Sequence, residues 1–260
     1  MEVHHHSHAA HGKKKWTHYF WEFLMLFLAV FCGFLAENFR EHYVEDQRAV
    51  KHAKNLYKEL YNDSISLQRC FTNRARKESE CSYFIDYVKD SSLVSLSPRF
   101  FPAFTTAIIQ NQYIIFEPND GILNQLRNSG ELRYFKDKDL QAELGNLGVK
   151  ISYVKTRNDK EYSYVEFYTR PLALKYFDFQ WYEHITQNGK LTLIQALDHY
   201  NPADGIGELP HPDKFDRKEA ESIASYYLLM MRATRQIAYK DYGEANHRVL
   251  QLLRAEYHLK

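Results

Sequence analysis

The residues best placed to do chemistry are histidines. His4, His5, His6 and His8, with His11 close behind, fall in "MEVHHHSHAAHG". Imidazoles at this density suit zinc, copper or nickel, because a neutral ring nitrogen is a good borderline ligand. The run is interrupted and follows "MEV", which reads as a native segment rather than a hexahistidine tag. A flexible tract lacks the surrounding groups that fix ring orientation. His4, His5, His6 and His8 are therefore candidate metal ligands, and a weakly charged membrane-surface tail is the plainer reading. A second set, Asp178, Glu183 and His184 in "FDFQWYEHITQ", would supply an acid and a base to a cleft. With 33 acidic residues and 13 histidines in the chain, such a trio also arises without purpose. Tyr162, Tyr164 and Tyr168 have faces that stack on sugars or peptides, and amphipathic tyrosines serve equally well between helices.

Nothing else has catalytic spacing. The sequence lacks a Gly-rich phosphate loop, H-E-x-x-H and G-x-S-x-G, and "DGIGEL" holds a lone G-x-G that reads as a turn. An enzyme is not expected, and no cofactor is implied. The three cysteines include no C-x-x-C pair. Cys70 and Cys81 would lie on one face of a continuous helix about 16 Å apart, so a disulfide requires a turn within "FTNRARKESE". The net charge of +1 offers no field to gather nucleic acid. With 20 Tyr and 17 Phe against ten Gly and seven Pro, the composition points to an all-α fold of long helices packed through aromatic rings.

The elements that would position these residues begin with a span. From 19 to 36 every residue is apolar or aromatic except Glu22 and Gly33, and 18 helical residues cover about 27 Å, near the hydrocarbon thickness of a bilayer. The run is apolar around its whole circumference, unlike the core helix of a soluble domain. A signal-peptidase cut after Ala36 would put the bulky Phe34 at position −3, which argues against a cleaved leader. Trp16, Tyr19, Phe20 and Trp21 form an aromatic collar beside Lys13, Lys14 and Lys15, while Arg40 and Arg48 follow the far end. The positive-inside rule then puts the N-terminus in the cytoplasm and the bulk outside, which in a bacterium means an inner-membrane anchor and a periplasmic domain. Glu22 lies one turn inside the span, where it can snorkel or pair with His18, or else meet an intramembrane partner.

Past the span, Phe39, Tyr43, Val50, Ala53, Tyr57, Leu60, Ser64 and Leu67 keep a 4-3 spacing with Asp46 discordant, which predicts that the helix continues as a stalk. Its seam fits either a second copy of the chain or the chain's own C-terminal helix, and the short heptad run favours the latter. The expected organisation is a tail over 1–18, a transmembrane helix over 19–36, a stalk over 37–69 and a helical extramembrane domain over 70–260. Within that domain a helix over 78–89 precedes a Pro-bounded loop. The segment 103–116 fits strand or helix. Asp120, Asp137 and Asp216 are candidate N-caps, Gly130 a left-handed stop, and Pro171 a break or kink. The turns between Pro171 and Pro212 form a surface connector or a ligand-facing loop. A last helix to about Tyr257 would carry the stripe Ile223, Tyr227, Met230, Ile237, Ala245, Val249 and Leu252.

The opening "MEVHHHSHAAHGKKKWTHYFWEFLMLFLAVFCGFLAENFREH" resembles the start of an uncharacterised Bacteroidota membrane-protein family, a domain of unknown function, in which a histidine cluster and basic residues lead into a span followed by "REH". "LNQLRNSGELRYFKDKDLQAEL" is similar to that family's pattern of short helix, Ser-Gly stop and new helix. The resemblance implies a membrane protein with a mostly helical body and assigns no activity. Two functions are consistent with these observations. One is a noncatalytic, membrane-anchored interaction or scaffold module whose partners are the lipid bilayer and a protein or second copy met through the stalk. The other is a periplasmic ligand-sensing or ligand-binding domain, with hydrolysis as a minor branch.

Overall fold

The computed structural model describes residues 16–110 and 114–259. The candidate ligands His4, His5, His6 and His8 lie outside that set. Helices account for the regular structure, and no strand occurs among the described residues. Helix α1 is Trp16–Asp90. The chain divides into two compact units, 1–51 and 52–260, with the division falling inside α1.

In the first unit, α1 carries one stretch long and apolar enough to cross a membrane, and no part of that stretch is buried. Its phenylalanines stack along one edge, Phe23 on Phe27 at 6.3 Å and Phe27 on Phe31 at 5.8 Å between ring centroids. Such contacts leave most of each ring uncovered: Phe23 is 67% exposed and Leu26 is 72% exposed. His18 Nε2 lies 3.1 Å from Glu22 Oε1, the local pairing open to a carboxylate near the end of the run.

In the second unit, α1 is followed by α2 (Phe100–Phe104), α3 (Gly121–Ser129), α4 (Lys138–Tyr164), α5 (Arg170–Tyr176), α6 (Phe179–Ile185), α7 (Leu193–Asp198), α8 (Arg217–Ala233) and α9 (Lys240–Tyr257). π-turns at Thr105–Ile109, Val165–Thr169 and Thr234–Tyr239 extend α2 and join α4 to α5 and α8 to α9. The segment that fitted strand or helix is thus helical to 109 and irregular from 114. Pro171 neither closes nor breaks its helix. It sits in the first turn of α5, directly after a π-turn, where the missing N–H falls in a ladder that is already interrupted.

The buried seam of α1 runs through positions 53, 56, 60, 63, 67, 70, 74, 77, 81, 84 and 88. This keeps the expected 4-3 spacing and shares Ala53, Leu60 and Leu67 with the predicted seam, but it takes Leu56 and Asp63 in place of Tyr57 and Ser64. Charged residues inside the stripe misdirect a reading based on apolar character alone. The seam packs within the chain: Asn246 of α9 donates to the Leu60 carbonyl at 3.0 Å and to Ser64 Oγ at 2.9 Å. Helix α1 does not turn within "FTNRARKESE". Cys70 and Cys81 are accordingly unbridged, each thiol donating to a backbone carbonyl, of Ile114 and Ala224 respectively.

The apolar interior forms two clusters. One holds Leu56, Leu60 and Leu67 with Leu147, Val154 and Val249; the other holds Cys81, Phe84 and Val88 with Val165, Ala224 and Met231. Between them lies a polar layer to which α1 gives Arg74 and Lys77, α4 gives Asn158 and Glu161, and the α8–α9 junction gives Thr234 and Tyr239. Arg74 and Glu161, 0% and 1% exposed, pair at 2.6 Å. The Arg74 guanidinium also donates to the carbonyls of Ile114 at 2.9 Å and Met231 at 3.1 Å and lies 5.0 Å from the Tyr239 ring. Tyr239 donates to Asn158 at 2.8 Å, and Asn158 donates to the Phe116 carbonyl at 2.9 Å. Lys77 donates to the Gln110 carbonyl and lies 5.0 Å from the Tyr227 ring. A second node sits lower on α1, where Asp63 accepts from the Asn119 amide N–H at 2.9 Å and from the Tyr242 hydroxyl.

Removing one member of a buried ion pair strands its partner, at about 3–5 kcal/mol, whereas an apolar pair of similar volume is often tolerated. Glu161→Ala is therefore expected to destabilise the head by about 3–5 kcal/mol in urea titrations, and Arg74→Met with Glu161→Leu to recover most of that loss. Lys77 supplies a pH test. Burial pushes its ammonium down to about 7 in the folded chain, against about 10.4 when unfolded. Between those values the unfolded chain holds more protons, so stability rises with pH. Cys70 and Cys81, pushed up by burial to about 12, oppose this once free thiols ionise near about 8.5. The urea midpoint is therefore expected to climb between about pH 7 and 8.5, and Lys77→Met to flatten that climb.

Candidate aromatic groove

An open groove of about 500 Å³ runs between the end of α4 and α8. Its α4 wall follows one helical face, Thr156, Lys160 and Ser163, at the i, i+4 and i+7 spacing that aligns side chains along a helix, with Phe167 of the following π-turn beyond them. Tyr164 lies at its base, and Tyr226 and Met230 of α8 form the opposite wall. The π-turn Val165–Thr169 carries Tyr168 to its mouth. Tyr164 is the hub of the aromatic cluster, with centroid distances of 4.8 Å to Tyr168, 5.1 Å to Tyr226 and 5.9 Å to Tyr227.

Burial divides these rings by role. Tyr164 is half-buried and donates to the Ile223 carbonyl at 3.0 Å; burial pushes its phenol up to about 12, which keeps it a neutral donor. Tyr168, Tyr226 and Phe167 are 51%, 53% and 73% exposed, with Tyr168 stacked by one face on Tyr164. Arg157 is held in place, donating through Nε and Nη2 to Thr234 Oγ1 at 3.2 and 3.1 Å. Asp159 and Lys160, both exposed, complete a rim of mixed charge. The groove thus joins aromatic surface to hydrogen-bond donors and acceptors.

The structure brings together two of the three tyrosines singled out by sequence. Tyr164 and Tyr168 meet in the groove, while Tyr162 faces elsewhere and donates to Glu117 at 3.3 Å. Phe167, Arg157 and Tyr226 were missed. Phe167 follows Tyr164 at i+3 and Arg157 precedes it at i−7, a helical spacing that gave both a weak signal. Tyr226 comes from a different helix, far along the chain from Tyr164, and left no local trace. The trio Asp178, Glu183 and His184 does not converge on a cleft. Asp178 caps α6, accepting from the Gln180 and Trp181 amides at 3.0 and 2.9 Å, and its other oxygen accepts from Glu208 N–H. Glu183 and His184 are exposed on an open depression. The G-x-G of "DGIGEL" is structural: Gly205 has φ +118, and a Cβ on Gly207 would come within 2.7 Å of the Phe101 ring. Among the described residues no cluster of three or more His, Cys, Asp or Glu is placed to hold a metal.

Comparison of the chain with protein-family models, curated proteins and solved structures returns no match.

The groove's rings differ in what they do for the fold. Tyr164→Phe leaves a carbonyl without its donor and is expected to cost about 1 kcal/mol. Tyr226→Ala, at an exposed wall, should cost about 1 kcal/mol or less. Thermal unfolding of the two variants beside the parent checks both values.

Proposed function

We propose that this chain is a membrane-anchored, noncatalytic interaction protein of the bacterial envelope. Residues 19–36 hold it in the inner membrane, with the tail in the cytoplasm and the helical head in the periplasm, where it works by contact. The observation that carries the reading is the pairing of an uncovered apolar helix with a head that presents an aromatic groove to solvent. In that head the buried Arg74, Glu161, Asp63 and Lys77 are occupied with one another and with backbone carbonyls and neighbouring side chains. The three lysines before the span, and the resemblance of the opening to the Bacteroidota family, support the orientation and the setting. A periplasmic ligand-binding domain is the second reading, favoured by the same groove, whose volume lies within the usual range of small-molecule sites, about 300–1,000 Å³.

Alkaline phosphatase fused after Lys260 tests the orientation, because the enzyme folds only outside the cytoplasm. An active fusion is expected; a well-expressed but inactive one would overturn the periplasmic placement. Purification from native membranes separates the two readings. A stoichiometric protein partner supports the interaction module, and a monomer carrying a small molecule supports the ligand-binding domain.

A further inference from the structure

We propose that the groove between α4 and α8 binds a neutral saccharide, a pyranose ring lying against Tyr168 and Tyr226 with its hydroxyls on the rim formed by Thr156, Asp159, Lys160 and Ser163. This rests on the reading that the head acts by binding, and it names the ligand class. It does not depend on which side of the membrane the head occupies.

Two features of the groove select this chemistry. The first is the wall: Tyr168 and Tyr226 are about half exposed, one face of Tyr168 being stacked on Tyr164 at 4.8 Å, and a pyranose presents an apolar C–H face that matches the ring surface left open. The second is the rim. Thr156 Oγ1 donates its proton to the Ser152 carbonyl at 3.0 Å, and Ser163 Oγ donates to the Asp159 carbonyl at 2.8 Å. Both hydroxyls therefore have their protons committed and offer lone pairs outward, beside the Asp159 carboxylate. Lys160 supplies donors at the next position. Vicinal sugar hydroxyls both donate and accept, so they satisfy such a rim. A polyproline segment offers carbonyls alone and would leave Thr156, Ser163 and Asp159 covered without a donor, which is costly. An anionic lipid surface fits poorly against Asp159. Asp159 and Lys160 oppose one another, and the guanidinium of Arg157 is engaged by Thr234 Oγ1, which leaves the rim suited to a neutral ligand.

The test uses the full chain in lipid nanodiscs, because alkyl-maltoside detergents would themselves occupy a saccharide site. N,N′,N″-Triacetylchitotriose and cellotriose are titrated by calorimetry, with decaproline and anionic vesicles run in parallel. The expected result is saturable binding of at least one trisaccharide, weakened about tenfold by Tyr168→Ala and by Tyr226→Ala and kept within about twofold by Tyr168→Phe, since a ring stack is worth about 1.4 kcal/mol. Circular dichroism of each variant confirms folding. Absence of binding by both trisaccharides, binding insensitive to both alanine variants, or capture of decaproline or vesicles at the same tyrosines would overturn the proposal. If both trisaccharides fail while a protein partner copurifies from native membranes, the saccharide assignment falls and the interaction reading stands.

Discussion

A helix whose apolar side chains face outward all the way round is stable only where water is absent. Residues 19–36 meet that condition: no part of the apolar stretch is buried, and the phenylalanine stacking along one edge covers a small part of its surface. Each exposed ring and branched chain carries the usual hydrophobic cost, about 25 cal/mol per Å². A hydrocarbon slab about 30 Å thick removes that cost along the whole length at once. Among the described residues no other helix is long and apolar enough to cross a membrane.

In the head the governing constraint is different. Two apolar clusters are separated by a buried polar layer, and three long helical paths cross it at one level: α1 at Arg74 and Lys77, α4 at Asn158 and Glu161, and the α8–α9 path at Thr234 and Tyr239. A buried charge is costly unless paired and hydrogen-bonded. Arg74 Nη1 and Nη2 and Glu161 Oε1 are so held, while Arg74 Nε and Glu161 Oε2 have no hydrogen-bond partner among the described residues, so the layer depends on each helix arriving in one register. Two of the π-turns lie beside it. Where α8 passes into α9 the i→i+4 ladder is interrupted, and arginine side chains supply donors to the carbonyls there, Arg74 to Met231 and Arg157 to Met230 at 3.4 Å. Such widened turns also shift side chains around the helix, and Tyr168 lies within the turn that follows Tyr164.

The long apolar stretch of α1 was legible because it depends on composition alone. Caps were legible where they are local: Asp137 accepts from the Asp139 and Leu140 amides, Asp216 accepts from Glu219, and Gly130 takes φ +72 after α3. Asp120 stands at the right place but makes no cap bond of its own. Its carboxylate pairs with Lys155 at 2.6 Å, and Glu59 from α1 accepts the Ile122 N–H instead. The stripe of the last helix was right at Tyr227, Ala245 and Val249 and wrong at Ile237, which is 50% exposed because the π-turn rotates the buried face onto Ala238. Asp63 and Arg74 hid the register of α1, since their partners lie far away along the chain. The groove was half visible, as Tyr164 and Tyr168 share an i, i+4 relation, and the wall supplied by α8 had no signature in the chain.

Anchor, polar layer and groove thus follow from three different rules: exclusion of apolar surface from water, satisfaction of buried polar groups, and display of ring faces beside matched donors and acceptors. The first is the premise of the proposed function, which requires the head to be held at a membrane. Washing native membranes with alkaline carbonate measures it most directly. Residues 19–36 in the bilayer predict that the chain remains in the pellet and is released only by detergent. Recovery of the intact chain in the carbonate supernatant would contradict the anchor.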